Sequence, residues 1–206
     1  YVVKNNDMKI LIIIICIIAG IFLVFQIYTA MSIKKTETQA YQLIREEKEF
    51  EIRYYPSATM AMITSSSKNY KELGNSGFKK LAGYIFGGNN DKKQIAMTAP
   101  VHMEIGDSVS SMSFVMPSNY NKDNLPLPNN SDVVIKTTPD EYVAAIRFGG
   151  FASSDNIKKH TEMLEKLLQE RHISYYGHFR YLGYNPPYQL FGRRNEIVVA
   201  LNWDAK

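Results

Sequence analysis

The sequence predicts an α+β protein: a pseudo-twofold, distorted antiparallel β-barrel carrying two helices, preceded by one transmembrane helix. Three observations lead there. An unbroken apolar run, Ile10 to Phe25, stands near the start of the chain. Behind it, short stretches of alternating apolar and polar residues are interrupted twice by helical spacing. These stretches also repeat. "EIRYYPSATMAMI" (51–63) lies over "VIKTTPDEYVAAI" (134–146) at a constant offset of 83, with Pro56 facing Pro139. A half made of strand, strand, helix, strand and strand exposes one apolar sheet face, so two such halves must bury those faces together.

The 206 residues, 45% hydrophobic and 21% charged, suffice for one domain with a core plus one appendage. Residues 1–9 read as an N-terminal tail. Residues 10–28 are nineteen in number, long enough to cross hydrocarbon as a helix, and Ile10 to Phe25 shows no polar face. The rival is a cleaved secretory signal. Its apolar region is shorter, about 7–15 residues, and Tyr28 in Tyr28-Thr29-Ala30 stands where cleavage wants a small residue. A single-pass, uncleaved anchor is preferred. Lys4 and Lys9 before the run and Lys34 and Lys35 after it do not decide orientation. The default expectation puts the domain on the translocated side, periplasmic or extracellular. Residues 29–40 read as a tether, and 41–206 as the domain, with half-repeats at about 41–117 and 132–203.

Within the domain, Tyr41 and Leu43 lead to a polar turn at Glu46-Glu47-Lys48. Phe50, Ile52 and Tyr54 then alternate with Glu51 and Arg53, a hairpin with one wet face. "ATMAMIT" after Pro56 is a strand. Phe78, Leu81, Ala82, Ile85 and Phe86 recur at helical spacing, and Gly87-Gly88 stops that helix. Strands follow at Gln94 to Glu104 and Ser111 to Met116. After the loop "PSNYNKDNLPLPNNSD" come two strands around Pro139 and a helix capped by Ser153 or Ser154, with Ile157, Leu164, Leu167 and Leu168 as its stripe. "HFRYLGYNPPY" and "NEIVVALNW" supply the last two strands. "MTAPV" (97–101) is laid opposite "YNPPY" (184–188), so Pro100 and Pro187 read as matched breaks.

Several functions find no support in the residues. Cys16 is the only cysteine and sits in the apolar run, so the domain holds no disulfide, thiol nucleophile or cysteine metal site. A net charge of +4 without blocks of like charge argues against nucleic acid. G-x-S-x-G, H-E-x-x-H and a phosphate-cradling glycine loop are missing, so no enzyme is indicated. His102, His160, His172 and His178 have no partner at metal-binding spacing. With Val101 and Met103 pointing inward, His102 is expected on the exposed side. His160 and His172 read as surface residues, and His178 as half-buried. Glu196 is the one acid in an apolar strand and is expected to pair with Arg193 or Arg194.

The strings "FEIRYY", "GFKKLAGYIFGGN", "QIAMTAPV", "SFVMPSNY", "LPLP" and "YNPPYQLFGRRNEIVVAL" resemble, in kind and in order, the SOUL/heme-binding protein family. The likeness covers nearly all of 41–203. It implies the SOUL-type barrel of two similar halves, related to effector-binding domains that hold hydrophobic small molecules. It also implies non-enzymatic, non-covalent binding of heme or another tetrapyrrole as buffer, carrier or chaperone, with no cofactor needed for folding. Residues 41–70 contain no histidine, so an axial ligand is not carried over. What remains is a hydrophobic slot formed by the helix "GFKKLAGYIF" and neighbouring strands. The candidate lining is Phe78, Leu81 and Ile85 with Met60, Met62 and Met97, because methionine shapes itself to flat ligands. Arg53 and Arg180 are the candidates for the propionates, and Tyr184, in the tyrosine cluster beside Arg180, is a further candidate for the slot. Each also reads as ordinary core or as a solvated face. The alternative is a module that binds another hydrophobic molecule or a protein, without heme.

Overall fold

The computed structural model describes residues 2–203. The first element, α1 (Val2–Lys34), is one continuous helix. The segments expected as tail and tether are therefore helical over 2–9 and 29–34. Its stretch Asp7–Ser32 is long and apolar enough to cross a membrane.

The remaining elements run β1 (Gln42–Glu46), β2 (Glu51–Tyr55), β3 (Ala58–Ser65), α2 (Tyr70–Ile85), β4 (Val101–Glu104) and β5 (Ser110–Val115). They continue as β6 (Val134–Thr138), β7 (Glu141–Phe148), α3 (Ser154–Glu170), β8 (Tyr175–Gly183) and β9 (Asn195–Leu201). The offset of 83 carries β2 onto β6 and β3 onto β7, end residue for end residue. Asn69 caps α2 by accepting from the Glu72 N–H, and Ser153 caps α3 by accepting from the Asn156 N–H.

The described strands form one curled antiparallel sheet in the order β1-β2-β7-β9-β8-β4-β5-β3-β6. Exchanging β2, β3, β4 and β5 for β6, β7, β8 and β9 reads the order β2 to β6 backwards. The pseudo-twofold axis thus passes between β8 and β4. The first strands of each half do not pair with each other: β2 pairs with β7, and β3 with β6. Pro56 and Pro139 sit at these crossings, where a missing N–H and a fixed φ break the strand. The halves interlock through backbone hydrogen bonds as well as through apolar burial.

Residues directly opposite in a ladder share a face. One row runs Ile63, Met112, Met103, Tyr181, Ile197, Ile146 across six strands. This face carries both helices, and its residues belong to the main core with Leu81 and Ile85 of α2 and Leu164 and Leu168 of α3. Each such side chain contributes about 1.5–3 kcal/mol. The neighbouring row runs Met62, Ser113, His102, Leu182, Glu196, Arg147 and lies on the other face. There Tyr41 and Tyr184 pack on Tyr55, Val143, Ala145, Leu182 and Val198. Residues 37–39 form a strap beside them: Gln39 N–H donates to Ala99 O and Ala99 N–H to Glu37 O.

Four expectations change. The strand expected at Gln94 to Glu104 is regular only from Val101, because the preceding residues leave the ladder to meet the end of α2, where Ile95 N–H donates to Ile85 O. Pro100 precedes β4 whereas Pro187 follows β8, so the two prolines are not counterparts. The hairpin β1–β2 has no simple wet face, since Ile52, Arg53 and Tyr55 are all buried. On α2 the buried stripe is Leu73, Gly77, Leu81, Ala82, Tyr84 and Ile85, which leaves Phe78 and Phe86 exposed.

Candidate functional site

The strongest electrostatic feature lies on the face without helices. Glu196 of β9 is fully buried, and Arg53 of β2 is 1% exposed. Arg53 Nη1 donates to Glu196 Oε2 at 2.7 Å and Nη2 to Oε1 at 3.1 Å, a fork on a carboxylate. Arg194 adds Nε and Nη2 at 2.9 and 2.7 Å to Oε1, and the Tyr184 hydroxyl donates to Oε2 at 2.8 Å. Arg53 also donates to Glu51 at 2.6 Å and lies 4.3 Å from the Tyr41 ring centroid. Arg194 stacks over Tyr184 at 4.0 Å. Burial alone would raise the Glu196 carboxyl; the two guanidiniums outweigh it and hold it below its ordinary range. The expected pairing of Glu196 with Arg194 is present, and Arg53 is a partner that the sequence did not disclose.

His102 lies on the same face and is 7% exposed, with Nε2 hydrogen-bonded to Gln39 Oε1 at 2.8 Å. The alternation was right, since Met103 points into the main core. The opposite face is simply not solvent: the strap covers it. Burial first, then the Arg180 charge, pushes the imidazole down to about 3, against a small opposing pull from Glu196. Of the other histidines, His160 is half-buried and stacked on Phe148 at 4.1 Å. His172 ends α3 at a positive φ of 54°, and His178 is exposed rather than half-buried.

The nine candidate residues are divided by the sheet. Arg53, Met60, Met62, Arg180 and Tyr184 belong to the helix-free face by their register, while Phe78, Leu81 and Ile85 sit on α2 and Met97 packs on the main core. One slot cannot include both groups. Arg180 forks onto Glu141 at 2.8 and 2.9 Å. Both arginines expected to meet propionates are thus engaged by carboxylates. Leu81 and Ile85 are core. Phe78 is 42% exposed, and its ring meets Phe114 edge-on at 5.3 Å. Phe114 pairs with Ala61, and Ala61 with the half-buried Ile135, so the apolar row continues from beneath Phe78 to the sheet edge. Lys79 is exposed beside it, and Lys80 reaches Asp132 at 2.8 Å.

A tetrapyrrole needs an apolar platform, cations for its carboxylates and, optionally, an axial ligand. The Phe78 side of α2 fits the platform and has Lys79 at hand. Residues 69–86 include no histidine. A cavity of about 680 Å³ lies elsewhere, between the strap, the Pro56–Thr59 crossing and the loop 116–123. Thr59, Thr98, Asn121, Lys122 and Thr137 contribute to its lining, and none of the nine candidates does. Its mixed polar wall suits a macrocycle less well than the aromatic edge.

Among known proteins, the family described as SOUL heme-binding protein matches residues 36–200. Heme-binding protein 2 of Mus musculus is 32% identical over 156 residues, covering 72% of this chain and 76% of that protein. Heme-binding protein 1 of Xenopus laevis is 29% identical over 161 residues, covering 74% and 84%. Among solved structures, the EcmrR C-terminal domain superposes with a TM-score of 0.58 at 9% identity, over 80% of this chain and 99% of that one. A hydrolase from Listeria innocua gives 0.54 at 6% identity, over 77% and 94%. At such identities these two establish the fold alone.

Two predictions follow from the buried charges. Glu196→Gln removes the buried carboxylate from Arg53, which keeps only the half-buried Glu51, and from Arg194; it is expected to cost about 3–5 kcal/mol in urea denaturation, whereas Arg53→Met/Glu196→Leu recovers much of that loss. A double variant no more stable than the single one would contradict the pairing. For His102, the folded value lies below the unfolded value of about 6.5, so the neutral form is favoured in the fold. Its stabilising effect is complete above the unfolded value and is lost as pH falls through the window from about 6.5 to about 3, with a limiting slope of about 1.4 kcal/mol per pH unit. Glu196, also depressed, keeps its stabilising effect above the ordinary carboxylate range and loses it only as pH falls through and below that range. Stability is therefore expected to fall between about pH 6.5 and about pH 5, and His102→Gln to flatten that segment.

Proposed function

The chain belongs to the SOUL heme-binding protein family, and on that premise we propose that it binds heme or a related tetrapyrrole non-covalently, without converting it, while α1 anchors it in a membrane. The family match and the likeness to heme-binding proteins 1 and 2 support the ligand class. The apolar stretch Asp7–Ser32 supports the anchor.

The observation that carries the site is Phe78. A large aromatic on a core-facing helix normally joins the core, yet this ring stays 42% exposed while Phe114 supports it from below. Covering it with the flat face of a macrocycle removes apolar area from water and adds an aromatic contact of about 0.5–1.5 kcal/mol. Lys79, at the helix surface, supplies a cation within the same turn. Arg53 and Arg180 take no part, because moving either would strand a carboxylate. The macrocycle would supply the light absorption and redox chemistry of its bound iron; the chain's share is to bind, orient and shield one face.

The 680 Å³ cavity favours a second reading, a different small molecule held under the strap. Titration of hemin into residues 36–206, followed at the Soret band, separates the two. The expected result is saturable binding at micromolar concentration, weakened about tenfold by Phe78→Ala, a loss of about 1.4 kcal/mol, and unchanged by the cavity-filling Thr137→Trp. Absence of saturation contradicts tetrapyrrole binding. Sensitivity to Thr137→Trp alone moves the ligand into the cavity.

A further inference from the structure

The loop between β8 and β9 presents three apolar side chains outward: Tyr188, Leu190 and Phe191, the last 71% exposed. A soluble loop of this kind would leave its backbone to water. Here much of the backbone is satisfied from within the protein. Arg193 Nη1 donates to the carbonyls of Pro186 and Gln189 at 2.8 and 2.7 Å. Gln189 N–H donates to Pro186 O, and the Gln189 side chain to Phe191 O at 2.7 Å. Pro186 and Pro187 carry no N–H to satisfy. Two further groups meet α1: Gln26 Nε2 donates to Tyr188 O at 3.2 Å, and Leu190 N–H donates to Gln26 Oε1 at 3.1 Å.

Gln26 is the polar residue within the apolar segment 10–28. Both ends of its amide are used by this loop, and Thr29, one turn on, is buried on the same side. Phe25 packs against Tyr188 at 5.9 Å between ring centroids. Gln26 lies two residues, about 3 Å, inside the Tyr28 end of the apolar segment. Whatever Gln26 holds therefore sits at the boundary of hydrocarbon and headgroups. In that layer tyrosine is favoured, and the loop brings Tyr188 to it with Leu190 and Phe191 beside it.

We infer that residues 186–191 insert Tyr188, Leu190 and Phe191 into the interface of the same bilayer that α1 crosses, so that the domain is seated on the membrane rather than swung on a tether. This rests on the reading of α1 as a membrane anchor. A domain so placed receives a hydrophobic ligand from the lipid side.

The test uses the full chain in phosphatidylcholine vesicles with and without brominated acyl chains, in a Trp203→Phe background with one tryptophan added at a time. Phe191→Trp is expected to lose at least about half its intensity to shallow bromines. Val109→Trp, an exposed site on another loop, should be unaffected. Leu190→Trp repeats the measurement should Phe191→Trp misfold. Ile18→Trp, inside α1, reports the anchor independently. Quenching of Ile18→Trp without quenching of the loop tryptophans overturns the seating and keeps the anchor. No quenching at Ile18→Trp overturns both.

Discussion

The contact on which the domain's arrangement turns is the buried fork of Arg53 on Glu196. It joins β2 to β9 across β7, and so ties the first strand of one half to the last strand of the other. A guanidinium in this position is tolerable only with its counterion in place, and the counterion only with the guanidinium. Around this pair Tyr41, Tyr55 and Tyr184 fill the space with rings whose hydroxyls or faces address charge. The helix-free face of the sheet is thereby an occupied interior. Its cation is consumed, and a ligand carboxylate arriving there would have to displace Glu196.

That constraint sends the ligand reading to the other side of the sheet. Phe78 stands where the helix meets the sheet edge, exposed above and supported below. The strap covers the first face, the cavity lies beside it, and the loop at Gln26 packs on α1. The three features are distinct in place and chemistry: an aromatic edge, a polar hollow, and an apolar loop tied to Gln26.

Much of the fold was legible because the repeat is a physical necessity written into residues. Two interlocking halves need the same strand lengths and the same breaks, so Pro56 and Pro139 fall at equivalent crossings. What the alternation could not convey is whether a strand's second face meets water. Arg53 and His102 were assigned to the correct side of their strands, and that side is closed by a curl and a strap contributed by residues distant in sequence. Glu196 as a lone acid in "NEIVVAL" was the available signal for a buried pair, but spacing favoured its neighbours Arg193 and Arg194 over Arg53, 143 residues away. The helical stripe through Phe78 erred by one face position, since Leu73, Gly77 and Tyr84 set the true stripe. Gly77 lets α2 approach Ile63 and Met112 closely, a contact that the sequence does not announce.

The central claim is that the helix-free face is sealed by its own charge pair and that the tetrapyrrole lies on the outer edge of α2. Ferric hemin is paramagnetic and broadens the NMR signals of nuclei near it. In isotopically labelled residues 36–206, substoichiometric hemin should attenuate the amides flanking Phe78, together with Phe114 and Ile135, most strongly, and leave Glu196 and Leu182 least affected. Strongest attenuation at Glu196, Leu182 and Arg53 would place the ligand inside the curl and contradict the account.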